Sequence, residues 1–147
     1  MKQVFRPATP DDLEYIVDLG VNLSAKHGDA YRVPADALSV AQEVSHAIQC
    51  GVCLVGNGCA AGGYVKPFIW GHDIKVGMVT FWNFTTPSGV HILGALVDEF
   101  AKRGATFISA ASHFPHNRVG DLYARMGMWP AETTYVGEIA TMKKLVA

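Results

Sequence analysis

A chain of 147 residues, half of them hydrophobic, sits in the range of roughly 100 to 200 expected of one domain with a substantial core, here residues 1–147. Twelve Lys and Arg against thirteen Asp and Glu leave a net charge of −1, which gives no electrostatic reason to expect nucleic acid or an anionic membrane as a partner. The first residues lack the apolar core of a signal peptide, and no apolar run approaches the ~18 residues of a membrane span, so a soluble, cytoplasmic protein is expected.

In chain order, Val4, Phe5 and Arg6 read as a short strand. Thr9, Pro10, Asp11 and Asp12 then supply an N-cap, a proline at the first helical position and acids in the first turn. Leu13, Ile16, Val17, Val21 and Leu23 continue as the apolar stripe of that helix. Residues 26–34 break the period and read as a loop. Leu38, Val40, Ala41, Val44, Ala47 and Ile48 mark a second helix, stopped by Gly51.

The period then changes to two. Residues 52–56 and 59–65 read as strands joined at Asn57-Gly58, a dipeptide suited to a tight hairpin turn, and Gly62 and Gly63 mark a bulge or a close backbone approach. Residues 67–73 read as a loop, and residues 76–84, rich in β-formers, as a long central strand. Ile92, Leu93, Leu96, Val97, Phe100 and Ala101 form a helical stripe that closes at Lys102-Arg103-Gly104. A strand at 105–110, a helix at 118–126, a strand at 132–139 and an optional last strand in 140–146 complete the chain. This order predicts an α/β fold of the α+β mixed-sheet kind: a central twisted mixed sheet with about four helices on both faces.

Three cysteines, Cys50, Cys53 and Cys59, are odd in number and lie in apolar surroundings, as reduced structural thiols do. Cys50-x-x-Cys53 also has a zinc or redox spacing, but no second pair accompanies it and Gly51 interrupts it. His113-x-x-His116 surrounds Pro115 without an acidic third ligand beside it, so no metal is expected.

The apolar run 105–110 followed by Asn117-Arg118-Val119-Gly120-Asp121-Leu122-Tyr123-Ala124-Arg125-Met126-Gly127-Met128 resembles the C-terminal half of the GNAT N-acetyltransferases, and Arg6-Pro7-Ala8-Thr9-Pro10-Asp11-Asp12-Leu13 is similar to their opening. The element order is also the GNAT layout. The resemblance implies direct transfer of an acetyl group from acetyl-CoA to an amine of a small molecule or protein. In that family pantetheine lies between two splayed strands and pairs with the backbone of the one corresponding to 76–84, here including Trp82, Asn83 and Phe84. The diphosphate sits on the next turn and helix start, where N–H groups and the helix dipole favour an anion.

Matching Leu96-Val97 to the family's paired apolar residues puts the loop that is normally Arg/Gln, Gly, x, Gly, x, Gly/Ala at Ser88, Gly89, Val90, His91, Ile92 and Leu93. One glycine stays in place; the arginine and two small residues are gone. The implied cofactor contacts are therefore Ser88, Gly89, Val90, His91 and Gly94, with Asn117 either touching cofactor or capping its helix. Tyr123 aligns with the tyrosine that protonates the departing thiolate, although its face, shared with Val119 and Met126, equally suits a core aromatic. Its separation from Asn117 is one residue shorter than the commonest family spacing.

The segment between the first two helices shapes the acceptor site in this family, which marks His27, Tyr31 and Arg32 as substrate contacts, against the alternative of an ordinary surface loop. No motif identifies a general base; Glu138, His72, Asp73 and His113 are available, and water could serve instead. A reading of another class is a non-catalytic GNAT-shaped binding or structural protein. The ending at 123–136 is similar to phage-encoded GNAT-like proteins, some virion-associated, which would imply a homodimer or a viral assembly, in host cytoplasm or virion.

Overall fold

Strand β2 (Val52–Gly56) is apolar at all of its first four positions because helices cover both of its faces. Cys53 and Val55 point into one cluster with Ile16, Leu19, Val44, Ala47 and Ala60, whereas Val52 and Leu54 point into another with Cys59, Ala61, Ile92, Leu96 and Phe100. Helices α1 (Leu13–His27) and α2 (Ala37–Cys50) supply the first cluster, and α3 (Gly89–Lys102) supplies the second. Each fully buried Ile or Leu there stabilises the fold by roughly 2 kcal/mol. The computed structural model describes residues 4–27, 36–112, 117–132, 135 and 138–146.

The five-stranded sheet runs β1 (Arg6–Pro7), β2, β3 (Cys59–Phe68), β4 (Gly71–Phe84), β5 (Phe107–Ser109) in spatial order. Its first four strands are antiparallel neighbours, and β5 joins β4 in parallel after the α3 crossover, so the sheet is mixed with helices on both sides, as expected. By contact, the described residues up to 111 form one compact unit, holding the sheet and α1–α3. Those from 112 onward form a second, holding α4 (Asn117–Arg125) and α5 (Ile139–Val146). Among the described residues no helix is long and apolar enough to cross a membrane.

Several expectations need correction. Residues 67–73 are mostly not loop: β3 and β4 run on as one long hairpin, with Pro67 opposite Lys75 and an irregularity next to Pro67 that tolerates its missing N–H. Its tip leaves Ile69 and Trp70 exposed. The first strand is Arg6–Pro7, where pairing to Val55 and Leu54 is available, and the strand at 105–110 shortens to Phe107–Ser109. Residues 140–146 are helix rather than strand, giving five α-helices among the described residues; good helix formers fill the segment, and the Glu138 carbonyl accepts the Thr141 and Met142 N–H groups. Within 132–139, residues 132, 135 and 138 are neither helix nor strand, and the remainder before Ile139 lie outside the described residues.

The glycine helix stops hold: Gly51 ends α2, its N–H donating to Ala47 O at 3.0 Å. After α3, Ala105 N–H bonds Phe100 O and Gly104 N–H bonds Ala101 O; after α4, Met128 N–H bonds Tyr123 O and Gly127 N–H bonds Ala124 O. These are Schellman motifs, with Gly104 at φ +90 and Gly127 at φ +84. A Cβ on Gly104 would meet only Lys75 at ordinary contact distance, so Gly104→Ala reads backbone strain alone. Urea denaturation should show it less stable by about 1–3 kcal/mol. Gly94, exposed on α3 with nothing within 4 Å of a built Cβ, is the opposite case: Gly94→Ala should stabilise by about 0.5–1 kcal/mol.

Candidate functional site

The site begins with one extra residue in β4. Gly62 pairs with Phe81 and Gly63 with Val79, which leaves Thr80 as a bulge, its hydroxyl donating to Gly62 O at 3.4 Å. The paired glycines flagged in the sequence permit it: a Cβ on Gly63 would overlap the Met78 carbonyl, and one on Gly62 would press into the Phe81 ring. The bulge also resets the side-chain phase. Gly77 lies under the Phe100 ring and Val79 packs on the same face, yet beyond Thr80 the even-numbered Trp82 and Phe84 face that cluster and Phe81 faces the other.

The ladder to β5 stops just before this bulge. Val76, Gly77 and Met78 pair with Phe107, Ile108 and Ser109, and the β5 ladder does not continue past Met78. Bent by its bulge, β4 parts from β5 at this point and leaves an edge there. Trp82, Asn83 and Phe84 all lie on this edge. Their side chains stand to either face, Trp82 and Phe84 toward α3 and Asn83 against Gly20 of α1, which leaves recognition along the edge to the backbone.

At the end of β4 the chain turns through Thr86-Pro87-Ser88-Gly89 into α3, closed by Gly89 N–H to Thr86 O at 3.1 Å. Proline in the second position presets this turn. His91 and Ile92 N–H then bond Ser88 O at 2.9 and 3.2 Å. Ser88 is only 6% exposed, its hydroxyl bonded to that of Thr86. Thr85 N–H and Thr86 Oγ1 tie the turn to Gly58 O (2.8 Å) and Asn57 O (3.3 Å) in the β2–β3 hairpin turn. Tyr15 clamps the same turn, accepting from Gly58 N–H at 2.8 Å and donating to Gly56 O at 3.2 Å. Trp82 Nε1 donates to Gly89 O at 2.6 Å, its ring 5.0 Å from that of Phe84, which covers Gly89 so closely that a Cβ there would overlap it.

These contacts test the fit of coenzyme A in two parts. An amide-bearing pantetheine arm matches the open edge at 79–84. The diphosphate end finds less: the Gly89 and His91 N–H groups are already bonded, Ser88 is buried and engaged, and residues 76–101 contain no Lys or Arg. Val90 and His91 are exposed at the helix start, and Leu93 is buried in the core, as its place on the apolar stripe requires.

Tyr123 lies on α4 in the second unit, 8% exposed, and burial pushes its hydroxyl up to about 12. Asn117 is the first residue of α4 and His27 the last of α1, their side chains outside the described set; Tyr31, Arg32 and His113 lie outside the described residues altogether. His72 and Asp73 are at the start of β4, roughly 25 Å of extended chain from the bulge, and are not brought to the edge. Sequence reasoning missed Thr80, Tyr15 and Thr86. Only the Gly62-Gly63 pair opposite gave any signal of the first.

No protein-family profile matches the chain, and no curated protein matches its sequence. Solved structures do match. A predicted acetyltransferase from Clostridium acetobutylicum, determined with acetyl-CoA, superposes with a TM-score of 0.72 at 14% identity, covering 95% of this chain and 97% of that one. The chain has the GNAT fold. A GCN5-related N-acetyltransferase from Ralstonia eutropha JMP134 gives 0.63 at 23% identity over 94% and 99% of the two chains. AAC(6')-Iy, in complex with the bisubstrate analogue CoA-S-monomethyl-acetylneamine, gives 0.67 at 14% over 94% and 98%.

Away from the β4 edge of this GNAT fold, a cavity of about 480 Å³ is lined by Cys50, Tyr64, Lys66, Pro67, Lys75 and Arg103, at the end of β4 opposite the α3 start. Cys50 is exposed, while Cys53 and Cys59 are buried on opposite faces of the sheet. Burial, reinforced by the Asp12 charge, pushes the Cys53 thiol up to about 12, and burial raises Cys59 as well. In native protein near pH 8, a chromogenic disulfide reagent should titrate Cys50 quickly and the other two only on unfolding, and Cys50→Ser should remove the fast phase. Fast reaction of a second thiol would contradict this core.

Proposed function

We propose that this chain is an N-acetyltransferase that moves an acyl group from a pantetheine thioester to an amine. The observation that carries the reading is the point at Thr80 where the bulged β4 parts from β5, in a fold shared with acetyltransferases. Acetyl-CoA, the donor implied by the resemblance, would supply a thioester carbonyl open to attack by an amine. Edge N–H and C=O groups within 79–84 would align the arm, and an N–H near the bulge would polarise that carbonyl.

Tyr123 is the proposed hydrogen donor toward the departing sulfur. At about 12 it keeps its proton at every physiological pH. Tyr123 therefore stabilises the sulfur by donating a hydrogen bond, and the proton released by the amine neutralises it through water. His27, Tyr31 and Arg32 are the proposed acceptor contacts, and the acceptor is an amine whose identity a substrate panel would establish.

Isothermal titration with acetyl-CoA, followed by thiol release in the presence of an amine panel, tests the reading. No heat and no thermal shift at millimolar donor would remove it. Tyr123→Phe should lower kcat by about 10²-fold with the unfolding midpoint little changed. A lowered midpoint with kcat per folded molecule intact would instead assign Tyr123 to packing.

A further inference from the structure

We infer that the cavity at the end of β4 opposite the α3 start binds a phosphomonoester, a small organic body carrying one dianionic phosphate. This site is separate from the place where β4 parts from β5, and it stands whether or not the transferase reading does.

The cavity forms where β3 outruns β2. Their pairing ends at Val52 with Gly63, and β3 goes on against β4 as far as Phe68. Gly51, just after α2, sits so close to β3 that a Cβ on it would overlap the Gly63 carbonyl and the Tyr64 ring, and Cys50 beside it is exposed in the cavity wall. Three cations from three elements line the same space of about 480 Å³: Lys66 of β3, Lys75 of β4 and Arg103, which caps the C-terminus of α3. Lys66 Nζ lies 5.4 Å from the Tyr64 ring centroid, a cation–π contact that favours this position of the ammonium.

Charge here is out of balance. Among the described residues none of the three lining cations is in an ion pair, whereas Arg6 pairs with Asp12 and Lys102 with Glu99. The carboxylates on the surrounding elements do not line the cavity: Asp98 and Glu99 act on Lys102, Glu43 of α2 lies toward the Tyr64 hydroxyl, and Asp73 stands two places before Lys75 on β4. Both α2 and α3 end at this cavity, and a helix C-terminus carries about half a negative charge, so the two ends together offset about one of the three cations. The remaining excess of about two positive charges matches a phosphomonoester, which carries roughly −1.5 to −2 near neutral pH. A guanidinium fork and two ammonium groups suit its oxygens. The volume falls within the roughly 300 to 1,000 Å³ of small-molecule sites, so bare phosphate would leave most of it unfilled, and Tyr64, Val65 and Pro67 offer an apolar wall to an organic body.

Titration calorimetry measures the affinity, and Cys50 reports the place. Phenyl phosphate and glucose 6-phosphate are the probes, with phenol, succinate and inorganic phosphate as comparisons, all at constant ionic strength. At least one ester should bind with a dissociation constant below about 1 mM and slow the reaction of Cys50 with an uncharged chromogenic disulfide by about tenfold or more at saturation. Lys66→Gln together with Arg103→Gln should weaken that ester by about tenfold or more, and Arg103→Gln alone serves if the pair lowers the unfolding midpoint. Lys102→Gln, outside the lining, should change its affinity by less than about twofold.

No binding of either ester at about 10 mM would overturn the inference. So would phenol binding as well as phenyl phosphate, inorganic phosphate binding as well as the esters, or succinate binding better than both. Ester binding that leaves Cys50 unprotected, or that the charge variants do not weaken, would put the ligand elsewhere and overturn it too.

Discussion

The fold's open edge depends on two glycines meeting one extra residue. Gly62 and Gly63 let β3 approach β4 closely enough that Thr80 can be extruded without losing the ladder. Any side chain at Gly63 would collide with the Met78 carbonyl, which is backbone and cannot swing aside. The same pair of strands also seats the Phe100 ring over Gly77, with Gly63 beneath its far edge, so one aromatic from α3 pins both strands where the bulge begins. Packing thus holds the distortion from one face while pairing holds it from the side. That is why β4 can hydrogen-bond β5 up to Met78 and then depart from it, with its hydrophobic face restored two residues later at Trp82.

Beyond the bulge a second set of constraints makes the α3 entrance stiff. The hairpin turn at Asn57-Gly58 receives Tyr15 from α1 and Thr85 and Thr86 from the far end of β4, so residues distant in sequence converge on one short turn. Stiffness and anion affinity compete there. A helix start attracts phosphate because its N–H groups lack partners, and a start that winds in from a proline turn has already given partners to several of them.

Much of this was legible in the sequence because it depends on periodicity or on glycine. The continuous apolar run of β2, the stripes of α1 to α3, the Asn57-Gly58 turn and the stops at Gly51, Gly104 and Gly127 each follow from a local rule that tertiary contacts reinforce. The hairpin at 67–73 was obscured by Pro67, which reads as a breaker but sits beside an irregularity in the ladder. The helix at Ile139–Val146 was obscured by length: eight residues show too little period to separate helix from strand. For the site, position in the chain placed Trp82, Asn83, Phe84 and the α3 start correctly near one another. The helical stripe already turned Leu93 inward, but nothing local could show that Ser88 is buried against Thr86, which depends on the angle at which α3 leaves the sheet.

The two halves of the candidate site also differ in what substitution can do to them. A strand edge is made of main-chain groups, so its geometry survives any side-chain exchange that keeps the bulge. A diphosphate seat is made of small residues, free amides and a guanidinium, and each can be lost by a single change. Across solved structures only 14–23% identical to this chain, the shape is retained over more than nine-tenths of both chains. A fold held by a glycine-dependent bulge tolerates that much difference because it is written in the backbone, whereas here the side chains of Ser88 and Leu93 serve the turn and the core.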